Sequence, residues 1–301
     1  MSDVSLIAES AARLASLLLF VALGELLAER AGTLNISIEG MMLAGAFSGA
    51  YVASETGSPV VGILAGLSAG WLVSLIQAEF SHRLTANQFV VGIAINILVL
   101  GVTSFVNASI KLTSVKVSVV TIPVLVHLPG IGKALFEQPW PFFLIYPLMP
   151  FTWWLLHRTR WGLELRACGE NPGSAAATGI DVRRRRRQVI QVCGLYSGLG
   201  GAFLSVALLG TFTSDMTAGR GFVAIAAVII GSWTVGGTII GALIFGSADA
   251  LRLALPAIGV QLEPQLLIAA PYLIALVTIL VFARGRRQPR ALGQDYGMAT
   301  A

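Results

Sequence analysis

The chain has 301 residues, 55% of them hydrophobic and only 12% charged, with a mean hydropathy of +0.80. A soluble domain carries roughly 25% charged residues, and so few charges cannot cover a water-exposed body of this size. Collagen, coiled coil and disorder fail on the same composition, and the net charge of +5 comes with no nucleic-acid-binding motif. The class that remains is an all-α polytopic membrane bundle, one transmembrane domain over 1–301.

A helix of roughly 20 apolar residues crosses a bilayer. In chain order such stretches fall near 8–28, 36–54, 59–80, 88–107, 140–157, 188–210, 220–234, 237–255 and 265–283, which predicts nine spans, within bounds of eight to ten. The first stretch follows Asp3 and Glu9, without a basic region or a cleavage site, and is expected to stay in the mature chain. The stretch 220–234 is short and rich in glycine and alanine. It reads as a broken half-helix, tolerated only where protein or a cavity surrounds it. Between the fourth and fifth spans, 108–139 carries Lys111, Lys116, Lys133, Pro123 and Pro129 and reads as a loop. Its middle, 117–128, is a candidate hairpin or short helix dipping into the membrane.

Of 17 arginines, 14 stand at 30, 83, 158, 160, 166, 183–187, 284, 286, 287 and 290, all on one side if the nine spans alternate. The three lysines fall on the other side. The positive-inside bias puts the arginines in the cytoplasm, with the N-terminus outside and a cytoplasmic tail at 284–301. The arginines at 183–187 then read as an anchor against anionic headgroups. Cys168 and Cys193 lie on or near the same side, where thiols stay reduced. His82, His127 and His157 are scattered singly and read as interfacial or loop residues; no metal spacing appears.

An offset of 132 residues aligns Gly62, Gly66, Leu67 and Leu72 with Gly194, Gly198, Leu199 and Leu204, and Thr85-Ala86 with Thr217-Ala218. The two spans involved run in opposite directions, so the repeat is expected to be inverted, with halves at about 30–157 and 165–283. The same glycines, spaced by four, put small residues on one helix face where backbones can approach closely.

Four strings carry more than composition. They are Glu29-Arg30-Ala31-Gly32-Thr33-Leu34-Asn35-Ile36-Ser37-Ile38-Glu39-Gly40-Met41-Met42; Gly169-Glu170-Asn171-Pro172 with Ala175-Ala176 and Gly179-Ile180; Thr217-Ala218-Gly219-Arg220-Gly221-Phe222 with Ala224, Gly231 and Trp233; and Phe245-Gly246 with Asp249-Ala250. Together they resemble the permease subunits of ABC importers in the branched-chain amino acid, ribose and simple-sugar permease superfamily, nearest to nucleoside permeases that work with a basic-membrane-protein type lipoprotein. The resemblance implies a bacterial plasma-membrane subunit, not an enzyme, that imports a small polar solute. Its partners would be a second permease of the same or a different sequence, a cytoplasmic ATPase and an extracellular binding lipoprotein, with membrane lipid around it. The sequence agrees on one point: it holds no G-x-x-x-x-G-K-[ST], so ATP and Mg would sit on the partner ATPase and no cofactor on this chain.

The loop 158–187 holds the predicted coupling element. Asn171 can cap and Pro172 begin a short helix, Ala175 and Ala176 continue it, and Gly179 ends it. With Glu170 before it, this small-residue helix is what the resemblance makes an ATPase contact. Ionisable and amide groups within spans are functional candidates by default, so the pathway candidates are Glu39, Gln88, Asn96, Thr217, Arg220 and Phe222. Glu39 reads first as a structural carboxylate bonded to the backbone of a neighbouring span, and second as a pathway group. Asn96 either bonds across helices or faces a polar cavity. Arg220 suits a gate contact with Asp215 or a substrate contact, and Asp249 with Arg252 reads as a neutralising pair. Phe222, Phe89 and Trp233 can stack on a sugar or base. With a nucleoside as the expected solute, a simple-sugar, ribose-like ABC permease is the first alternative; an ion-coupled secondary transporter comes after it and has no need of the alanine-rich helix. No H-E-x-x-H or G-x-S-x-G supports an intramembrane enzyme.

Overall fold

The computed structural model describes residues 3–115, 117–123, 125–127, 132–257, 288–294 and 296. In chain order its α-helices are α1 (Asp3–Arg30), α2 (Ile38–Thr56), α3 (Pro59–His82), α4 (Gln88–Ser109), α5 (Gly132–Phe136), α6 (Ile145–Arg158), α7 (Arg160–Glu170), α8 (Pro172–Ala177), α9 (Val182–Ala202), α10 (Arg220–Ile230) and α11 (Val235–Ala257). Eight of the predicted spans are helical close to where the sequence places them. Five helices among the described residues are long and apolar enough to cross a membrane. The ninth predicted span, 265–283, lies outside the described residues, as do Lys116, Arg284, Arg286 and Arg287.

Two departures have physical causes. The fifth span is split into a 3-10 turn, Trp140–Leu144, and the 14-residue α6, with Pro150 inside the helix. The loop before it folds on itself: β1 (Val119–Thr121) pairs antiparallel with β2 (Glu137–Pro139), Val120 opposite Gln138, and α5 lies between them in sequence. Buried Gln138 ties this loop to α1, accepting from Arg13 Nε at 2.7 Å. The β-ribbon and the N-terminal part of α1 therefore share one end of the bundle.

Helices α1, α2 and α9 form the core. They bury Phe20, Leu23, Met41, Met42 and Val189, with Phe203 buried just beyond the end of α9, while α4 turns Val90, Ile97 and Phe105 outward. Between α3 and α9 the glycine spacing does what the sequence predicts. A Cβ added to Gly66 would lie 2.5 Å from Ala202 Cβ and 3.3 Å from Gly198 O, and one on Gly70 would lie 2.6 Å from Gly198 Cα and closer still to Gly194 O. As numbering rises along α3 it falls along α9, so the helices are antiparallel. Such close backbone packing supplies the dispersion contacts that hold helices together in lipid, where the hydrophobic effect does not.

The segment α10 is the predicted half-helix. Its 11 residues extend about 16 Å, half of a hydrocarbon core of about 30 Å. It starts after Gly219, at φ +80°, and ends in a turn where Ser232 and Trp233 both hold positive φ.

Candidate substrate pathway and coupling surface

The chain between α1 and α2 is neither helix nor strand over 33–35, yet Thr33, Asn35 and Ser37 are fully buried. Irregular backbone at such a position must find its hydrogen bonds within the protein, and the polar candidates supply them. Gln88 accepts from the N–H of Leu34 through Oε1, at 3.3 Å. Glu25 accepts from the N–H of Asn35 at 3.1 Å. Asn96 donates to Ile36 O and accepts from the N–H of Gly40, both at 2.8 Å. Of its two expected uses, Asn96 therefore makes the cross-helix bonds. Asn35 donates to the sulfurs of Met41 and Cys193, each at 3.3 Å, and accepts from the Ser37 hydroxyl at 2.7 Å.

Glu39, one turn further on, reaches α10. Its Oε1 accepts from the N–H of Gly219 at 2.8 Å and its Oε2 from the N–H of Gly221 at 2.7 Å. A carboxylate there satisfies open backbone donors and meets the positive end of the helix dipole. This is the structural reading of Glu39, with α10 as the element whose backbone donates to it. The far end of α10 is held by a second acid: the Trp233 indole N–H donates to Glu29 Oε2. The half-helix thus hangs between carboxylates of α1 and α2.

Arg220 does not pair with Asp215. It donates to Asp249 Oδ2 at 3.1 Å and to Met216 O at 3.2 Å, while Arg252 takes Asp249 Oδ1 at 2.8 Å. The expected Asp249–Arg252 pair is thus one side of a triad joining α10 to α11. Phe222 is 45% exposed on α10, next to Gly221. Thr217 is fully buried and its hydroxyl has no hydrogen-bond partner among the described residues. His82 corrects the interfacial or loop reading: it is buried, and its Nε2 lies 3.3 Å from Thr33 Oγ1.

The other end of the molecule carries the predicted coupling helix. Asn171 caps α8 by accepting from the N–H of Ser174 at 3.0 Å, Pro172 begins it, and Gly179 turns out of it at φ +88°. Glu170, Gly173, Ser174 and Ala177 are exposed, whereas Ala176 is half-buried. Ala175 points inward, buried against Cys168 and Val182. The arginine run is also used differently from a simple headgroup anchor. Arg186 is fully buried and donates to Ala31 O at 3.1 Å and Gln294 O at 2.6 Å. Arg185 binds Glu164, and Arg187 binds Glu79 at 2.6 Å. Only Arg183 and Arg184 of the five are exposed. Burial pushes the Cys168 thiol above its ordinary range.

The described bundle thus carries a clamped half-helix and, at its arginine-rich end, an exposed small-residue helix. Residues 7–283 match the family described as the branched-chain amino acid transport system / permease component, and the chain belongs to that family. It is a multi-pass membrane transport subunit and not an enzyme. Over 297 residues it is 32% identical to the guanosine ABC transporter permease protein NupQ of Bacillus subtilis, covering 93% of this chain and 92% of that one. It is likewise 32% identical over 295 residues to the nucleoside ABC transporter permease protein NupC of Lactococcus lactis, covering 93% and 92%. A putative glucose ABC transporter permease, TsgC13 of Haloferax volcanii, shares 35% over 256 residues, 83% of this chain and 78% of its own length.

Proposed function

We propose that this chain is the permease subunit of an ATP-driven nucleoside importer of a bacterial plasma membrane, with its N-terminus outside and its tail in the cytoplasm. It works with a second permease, a separate cytoplasmic ATPase that holds ATP and Mg, and an extracellular binding lipoprotein. The observation that carries the coupling role is α8: a capped six-residue helix with Gly173, Ser174 and Ala177 exposed, small enough to enter a cleft on an ATPase. Nucleosides lead as substrate because two relatives matched over 93% of this chain are named for them.

In this reading the 34–40 segment and α10 line the pathway, the first fixed by side chains of α1, α4 and α9 and the second by two carboxylates. The unpartnered Thr217 hydroxyl and the aromatic face of Phe222 are the groups with capacity left for a ribose hydroxyl and a base. The halves 30–157 and 165–283 act as an inverted repeat. Gly66 meets Gly198, its counterpart at the 132-residue offset, and α4 and α10 start at Gln88 and Arg220, 132 apart. Uptake of labelled nucleosides and sugars by cells lacking this gene tests the substrate. Loss of nucleoside uptake with sugar uptake intact is expected. The opposite pattern favours the simple-sugar alternative to which the glucose-named relative points.

A further inference from the structure

A basic cavity of about 470 Å³ opens where the end of α3 meets the start of α9. Arg83, Arg183, Arg184 and Arg187 line it together with Asp181. Glu79 pairs with Arg187 at 2.6 Å and with Arg83 at 3.2 Å. Asp181 is occupied as the cap of α9, accepting from the N–H of Arg184 at 2.9 Å. Among the described residues, four guanidinium groups against two carboxylates leave two positive charges in excess, and the Nε–H of Arg187 is buried without an acceptor. The cavity is therefore built for an anion that brings several oxygens.

A second cavity of about 360 Å³ shares Gln188 and Gln191 with the first. Its other walls are apolar and include Trp71, Trp161 and Leu195. Gln188 fixes the Trp161 ring, accepting from its indole N–H at 3.2 Å. The neighbouring surface of α3 presents Leu72, Ile76 and Phe80 outward, which suits hydrocarbon. A charged compartment thus adjoins an apolar one, with tryptophan at the boundary, where indoles settle in membranes.

We propose that the two cavities together bind one anionic phospholipid from the leaflet on the α8 side. The phosphate sits among Arg83, Arg183, Arg184 and Arg187, and an acyl chain lies along Trp71 and Leu195. A free phosphate would fill the basic compartment and leave the apolar one open. An acidic peptide of an ATPase would have no use for a groove that faces lipid. The lipid would bridge α3 and α9, the antiparallel pair, at the end nearest the coupling helix.

Tryptophan quenching in vesicles tests this with the full chain, alone and in complex with its ATPase. The vesicles are phosphatidylcholine with a minor fraction of brominated-chain phosphatidylglycerol, or of phosphatidylcholine with the same brominated chains. The difference between the wild-type chain and Trp71→Phe/Trp161→Phe isolates the groove. Brominated phosphatidylglycerol should quench that signal in preference to brominated phosphatidylcholine, with or without the ATPase. An arginine beside anionic lipid is worth about five-fold in partitioning, so Arg183→Gln/Arg184→Gln should lower the preference about twenty-five-fold, while inorganic phosphate leaves it unchanged. Equal quenching by the two lipids, or a preference that survives the arginine change, would overturn the proposal. Displacement by inorganic phosphate would assign the cavity to the free anion. Loss of quenching when the ATPase binds would assign it to that interface.

Discussion

Glu39 closes two backbone donors that the start of α10 would otherwise leave open among apolar helices, and each tolerates little change. Glu39→Gln keeps one carbonyl acceptor but turns an amino group toward the other N–H. Leaving a buried donor unmet costs about 1–3 kcal/mol. A Cβ on Gly221 would stand 2.7 Å from Glu39 Oε2 and 2.9 Å from its Cα, and such overpacking costs about 1–3 kcal/mol. Both Glu39→Gln and Gly221→Ala should lower the unfolding midpoint in detergent and reduce uptake; a Gly221→Ala protein of native stability and activity would show that α10 does not rest on α2. The thiols make a second expectation at this scale. Cys168 and Cys193 are both fully buried. The thiolate is the reactive form, and burial raises the Cys168 pKa, so its thiolate fraction stays below that of a free cysteine until the pH passes the raised value. The native chain should therefore react slowly with maleimide, and a rise from pH 7 to pH 9 should not bring Cys168 to the rate of the unfolded chain. The sequence shows that Glu39, Gln88 and Asn96 are out of place in lipid. It does not show that they satisfy the 34–40 backbone and α10, because their partners lie 54 to 182 positions away.

The short helix α8 was legible in its punctuation and not in its phase. Asn171, Pro172 and Gly179 mark the start and exit in the sequence as they do in the fold. Which alanine faces out depends on tertiary contacts: Cys168 and Val182 cover Ala175, and Ala177 is left exposed. The two positions should therefore respond differently to the same enlargement. Ala177→Trp places its bulk on the proposed docking face. Its cost of roughly 1–3 kcal/mol at a tight contact is about one to two decades in association. That variant should insert and fold normally, lose the ATPase on purification and lose ATP-dependent uptake. Ala175→Trp should instead lower thermal stability before any question of partner binding arises. Retention of the ATPase and full uptake by Ala177→Trp would remove α8 from the coupling surface.

At the scale of the whole molecule, period and composition placed eight helices, because span length and helix-breaking residues are local properties, but missed the split of the fifth span and the early start of α9 at Val182. The sequence did not give the folding of the 108–139 loop. β1 and β2 pair across α5, and the side chain that docks them, Gln138, finds its partner at Arg13. That contact matters for orientation, since it fixes the loop and the N-terminal part of α1 to one end while α8 and the arginines mark the other. Lys111 and Glu55 should face the first end and Arg183 the second, and all three are exposed. Single cysteines at these positions make the topology measurable. Because both native thiols are buried, the wild-type background should stay dark to a membrane-impermeant maleimide. Glu55→Cys and Lys111→Cys should be labelled from outside intact cells, and Arg183→Cys only after the inner face is opened. An odd number of crossings must separate Arg183 from Lys111 for that result. Labelling of all three from one side would invert the assignment of α6, and would remove the opposite orientation of the two halves on which the inverted repeat depends.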